Sequence, residues 1–80
     1  MSVCLCCEDA SLLEGDWEIC ALCGWQDDPR AYEDAEMDGG ANEMSLVEAK
    51  RYWRTTGRRL PANNSVSMDQ ARALVRVLGE

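Results

Sequence analysis

Histidine is absent from this 80-residue chain. That excludes Ser-His-Asp and Cys-His catalysis and any metal site built on imidazole. Phenylalanine is absent too, and three Trp and two Tyr are the only aromatics, so bulky core side chains are scarce. No apolar run approaches the ~18 residues of a membrane span. The N-terminus has neither the basic region nor the long apolar stretch of a secretory signal. The expected setting is therefore a reducing cytoplasm, away from any membrane. The length suits one domain, residues 1–80.

Such a chain is poorly equipped to fold on apolar burial alone. Ordering it costs roughly 1.5 kcal/mol per residue, which a small core barely offsets. Five cysteines are the obvious staple. An odd count in a reducing compartment argues against a paired disulfide framework. Cys4-Leu-Cys-Cys7 and Cys20-Ala-Leu-Cys23 are two C-x2-C pairs with twelve residues between them. Each such turn aims two thiolates at one centre, and two turns supply a closed tetrahedral set of sulfurs suited to one structural Zn2+. Cys4, Cys7, Cys20 and Cys23 are the expected ligands. Cys6 then lies inside the first turn as a small packing residue or spare thiol, unless it replaces Cys4 or Cys7. A thiol-disulfide centre is the rival reading, but the βαβ pattern that frames one is missing. Four protein ligands leave zinc no position for water, so the metal is expected to be structural and the protein not an enzyme.

Three stretches follow from pattern. In residues 3–25, Asp16-Trp17-Glu18-Ile19-Cys20 alternates polar and apolar, as a half-buried strand does. With Leu12, Leu13 and a Glu14-Gly15 turn it predicts a β-hairpin joining the two cysteine pairs. Residues 26–44 read as an acidic loop. Residues 45–80 predict two helices, 45–56 and 67–79. Ser45 with Glu48 and Ser67 with Gln70 form capping boxes, and Gly57 and Gly79 supply stops. Leu46, Ala49, Trp53 and adjoining Tyr52 mark the inner face of the first helix. Met68, Ala71, Leu74, Val75 and Leu78 mark that of the second.

Charge is segregated. Residues 1–48 carry a net −12 and residues 49–80 a net +5. The two portions can attract each other within the fold, or the acidic surface can be kept for a basic partner. Phosphate would be repelled by the acidic portion, so nucleic-acid binding across the whole molecule is not expected.

The blocks Cys4-Leu-Cys-Cys7, Trp17-Glu-Ile-Cys-Ala-Leu-Cys-Gly-Trp-Gln-Asp-Asp28, Gly39-Gly-Ala-Asn42 and Ser45-Leu-Val-Glu-Ala49 together resemble the bacterial cysteine-rich CPCC domain over roughly residues 3–55. That family usually has Cys-Pro-Cys-Cys-Gly and Cys-Pro-x-Cys. Here Leu5 and Ala21 stand for the prolines and Glu8 for the glycine. The resemblance implies a zinc-ribbon-like module with no established enzyme activity, often standing alone or encoded beside toxin genes.

The expected whole is a small α+β metal-stapled domain: a zinc-ribbon-like β-hairpin, an acidic loop and two α-helices. Its expected role is that of an immunity protein neutralising a basic toxin effector. Asp27, Asp28, Glu33, Asp34, Glu36 and Asp38 would steer the partner, with Trp25 or Tyr32 as anchor. The alternative is a nucleic-acid-associated ribbon using the basic Lys50–Arg59 stretch with Trp53.

Overall fold

The computed structural model describes residues 2–9, 11–12, 17–37 and 40–78. Helix α1 spans Leu46–Thr56 and is delimited as its sequence dictates. Ser45 Oγ accepts the Glu48 N–H at 3.2 Å, and Glu48 Oε1 accepts the Ser45 N–H at 3.0 Å. Two orphan donors of the first turn are thereby satisfied. At the other end Gly57 takes the left-handed conformation and donates to the Trp53 carbonyl at 2.9 Å. Leu46, Ala49 and Tyr52 are buried, while Trp53 is half-buried against the core edge.

Helix α2 spans Val66–Leu78 and packs on α1. It begins two residues earlier than its pattern predicts, because Ser65, not Ser67, caps it: Ser65 Oγ accepts the Met68 N–H at 3.0 Å. Its inward face is also narrower than the apolar stripe. Met68, Ala71 and Val75 are buried, but Leu74 and Leu78 are each 41% exposed. One short neighbouring helix covers an arc of α2 too small to take all five apolar residues. The Gly79 stop lies outside the described residues.

Among the described residues the expected zinc-ribbon-like hairpin between the cysteine pairs is not found. Its Glu14-Gly15 turn and residues 13 and 16 lie outside the described residues; of the rest, Leu12 pairs with Ser2 instead, and residues 17–20 hold no strand. Trp17 has φ 57, which turns the chain where a strand would run straight. Trp17 and Ile19, the two positions read as inward-facing, are 46% and 55% exposed. Pairing instead closes each cysteine turn on itself. The two-residue strands β1 (Ser2–Val3) and β2 (Ser11–Leu12) pair antiparallel around the first. Around the second, Ile19 bridges Gln26, with Cys20 N–H bonded to the Trp25 carbonyl and Asp27 N–H to the Glu18 carbonyl, both at 2.8 Å. Within the acidic stretch Pro29–Tyr32 forms one 3-10 turn. The core is made of the five cysteines with Trp25, Ala31, Met44, Leu46, Ala49, Tyr52, Leu60, Met68, Ala71 and Val75. Among the described residues no helix is long and apolar enough to cross a membrane.

Candidate metal centre

The two C-x2-C turns are near-copies of one another. In the first, the Glu8 N–H bonds to the Cys4 carbonyl at 3.0 Å; in the second, the Gly24 N–H bonds to the Cys20 carbonyl at 2.9 Å. The residue after each pair is left-handed, Glu8 at φ 62 and Gly24 at φ 85. Gly24 meets that requirement without cost. Glu8 meets it against its own preference and uses its exposed carboxylate to hold Lys50 of α1 at 3.3 Å. Neither Leu5 nor Ala21 disturbs the turns in which it stands.

Together the turns bring Cys4, Cys7, Cys20 and Cys23 into one buried group, with all four Sγ atoms within 4.8 Å of one another. The Cys4–Cys23 and Cys7–Cys20 sulfurs are 3.6 and 3.9 Å apart. Four sulfurs at 2.3 Å around one ion would sit about 3.8 Å apart, so these ligands fit one tetrahedral metal ion. Nearby backbone N–H groups ease ionisation of the sulfurs: those of Cys7 and Cys6 at Cys4, that of Asp9 at Cys7 and that of Trp25 at Cys23. They favour the thiolate.

Without an ion the same packing works against charge. The hydrogen bond with Cys23, then burial, pushes the Cys4 thiol far above the ordinary 9.0. Burial also raises the Cys7 thiol above its ordinary value. Cys23 is eased by its bond with Cys4, but contact with Cys6 and burial leave it raised as well. Cys6 is buried against Cys23 and stands outside the group of four. It lies beside the group as a neighbouring thiol.

The second turn is also strapped from outside. Leu60, in the connector between the helices, donates its N–H to the Cys23 carbonyl at 2.7 Å. Arg59 Nη1 donates to the Ala21 carbonyl at 2.6 Å and lies 3.5 Å from that of Cys20. Sequence reasoning missed this strap, because an arginine after a helix stop carries no sign of which carbonyls it will meet.

Three of the residues expected to face a partner are internal. Trp25, Asp27 and Asp28 are 2%, 0% and 1% exposed. Trp25 packs in the core beside the sulfurs. Asp27 accepts the Tyr32 hydroxyl at 2.9 Å. Asp28 accepts the Arg30 guanidinium through both oxygens, at 3.0 and 2.9 Å, together with the N–H groups of Arg30 and Ala41. It therefore caps the 3-10 turn and ties its far flank down. The Asp28-Pro29 pair is the signal that could have revealed this, since an aspartate before a proline is a helix-start pattern. The Arg30 bond is the chief cause that holds the Asp28 carboxyl down at about 2. Its contribution is therefore complete above pH ~4 and fades as the pH falls through about 2. The Arg30 head is mostly in water, which screens the pair. Asp28→Asn should thus cost about 1 kcal/mol at neutral pH, read as a lower urea midpoint of the metal-loaded protein.

Of the other expected partner residues, Tyr32, Glu33, Asp34 and Glu36 are exposed, and Asp38 lies outside the described residues. Trp17 is a further exposed aromatic nearby, with Arg30 5.7 Å above its ring.

A family model described as Cysteine-rich CPCC matches residues 2–62, which include both cysteine turns and α1 but not α2. Among curated proteins none matches the chain.

Proposed function

The chain belongs to the cysteine-rich CPCC family, and on that footing we propose that its clustered cysteines hold one Zn2+ and that the resulting rigid module is a non-catalytic docking protein. The observation that carries the reading is the closed, buried set of four sulfurs. Thiolates select zinc over the hard cations, and a complete protein ligand set gives a structural ion. The thiols call for a reducing compartment, the cytoplasm.

The partner we propose is a basic protein domain, such as a bacterial toxin effector that this protein neutralises. Support comes from the exposed carboxylates of Glu33, Asp34 and Glu36 beside Tyr32. They stand on a segment that is fixed before any partner arrives. Asp34 N–H bonds to the Arg30 carbonyl at 3.1 Å, and the Ala35 carbonyl accepts the Val47 N–H at 3.0 Å. Preorganised charge steers encounter and reduces the ordering that binding requires. Trp17 and Tyr32 are the aromatic contacts available, in place of the buried Trp25.

The zinc-loaded protein, used as bait in a lysate of its own host at low salt, should retain a partner with a basic docking domain. Glu33→Gln, Asp34→Asn and Glu36→Gln together should lower its recovery roughly tenfold, as loss of several steering charges does. Undiminished recovery by that triple variant would remove the acidic segment from the interface.

A further inference from the structure

The opposite charges of the two portions do not cancel inside the fold. Among the described residues, Glu8–Lys50 is the one ion pair that joins them; the other, Asp28–Arg30, lies within the acidic segment. Arg59 is spent on the carbonyls of the second turn. Arg51, Arg54, Arg58, Arg72 and Arg76 have no carboxylate of the described residues within 4.0 Å. On the outer side of α1, Val47, Lys50, Arg51, Arg54 and Thr55 line a depression of about 310 Å³, and Arg58 follows just past the helix end.

We propose that this face of α1 binds the phosphate backbone of a nucleic acid, independently of base sequence. Lys50 to Arg54 covers about 6 Å of helix axis, close to two phosphate steps of a duplex strand at 3.4 Å each. Arginine forks and a threonine hydroxyl are phosphate donors. The face offers no exposed aromatic to stack on a base and little apolar surface to anchor a protein. Trp53 turns to the core edge and cannot stack freely, and Val47 is the depression's sole large apolar side chain. A protein interface with so little apolar surface at its centre would lack a hot spot, whereas a polyanion needs none. The acidic segment meets the N-terminal end of α1 through Val47. Lys50 is already shared with Glu8 at 3.3 Å, so the arginines that follow it, Arg51, Arg54 and Arg58, are the cations left for phosphate. The nucleic acid is thus expected to run off the C-terminal side of the face.

The test is fluorescence anisotropy of the zinc-loaded protein with two labelled probes, a 20-base-pair DNA duplex and a 20-nucleotide RNA strand, between 50 and 200 mM salt. Saturable binding to either probe supports the proposal, and the tighter one identifies the source of the phosphates. For the duplex, log affinity should fall against log salt with a slope of about −3 for three arginine contacts. Arg51→Gln with Arg54→Gln should weaken binding at least tenfold and reduce that slope by about two, with the melting temperature unchanged. The triple variant at Glu33, Asp34 and Glu36 should bind nucleic acid more tightly, the reverse of its effect on the basic protein partner. No binding of either probe at 50 mM salt would overturn the proposal, as would a double variant that binds as well as the parent. A low-salt dimer abolished by the double variant, without nucleic-acid binding, would assign the face to a second copy of the chain.

Discussion

Removing the metal from the loaded protein should unfold its N-terminal half. Excess chelator is expected to red-shift the emission of Trp25, whose ring lies in the core among the sulfurs. The strands around the first turn are two residues each, and such pairings are not stable alone in water. Structural zinc contributes roughly 10–16 kcal/mol of apparent binding free energy, as much as a whole domain's stability. The helix pair, with three buried side chains from each helix, has little else to rest on and should lose much of its circular dichroism in the same transition. Cys20→Ser should lower zinc affinity by more than the ~100-fold typical of a change behind the ligands. Cys6→Ala should still bind one ion per chain, counted by native mass spectrometry. A chelated protein with unchanged emission and dichroism would show that the sulfurs are not what holds the fold.

The second large effect is a reversal of pH dependence with metal content. In the ion-free fold Cys4, Cys7 and Cys23 hold their protons more tightly than the unfolded chain does. Whatever packing the chelated chain retains is therefore expected to weaken further as the pH rises past the ordinary thiol value of 9.0. Loading requires those same protons to leave, so acid opposes it. Each thiol that must lose its proton contributes a factor of about ten per pH unit, and a four-thiolate site makes zinc affinity rise about ten-thousandfold between pH 6 and 7. Competition against a chromogenic chelator across that interval measures the slope. A change of tenfold or less per unit would mean that the thiols are already ionised before the ion arrives.

What could be read from the chain alone follows physical locality. Ser45 and Glu48 form their reciprocal bonds as expected, and Gly57 ends the helix, because caps are decided by residues a few positions apart. The four ligand cysteines were legible for a similar reason: each pair defines its own turn. Cross-chain choices were not legible. Alternation at Trp17 and Ile19 gave the period but not the face, and the pairing that formed is local to each turn rather than between the turns. Asp27 and Asp28 sit in a run of acids, where solvent exposure is the usual outcome. Their burial depends on Tyr32, Arg30 and Ala41 arriving as donors, and composition cannot register that geometry. Leu74 and Leu78 show the converse, since an apolar stripe is buried only as far as a neighbour reaches.

The two near-identical turns are fastened unequally. Arg59 and Leu60 grip the carbonyls of the second from outside, whereas the first is tethered to the helices by the exposed Glu8–Lys50 contact. The first turn is therefore expected to be the first to come away from the helices when the ion is withdrawn, and its sulfurs the first that a competing chelator exposes.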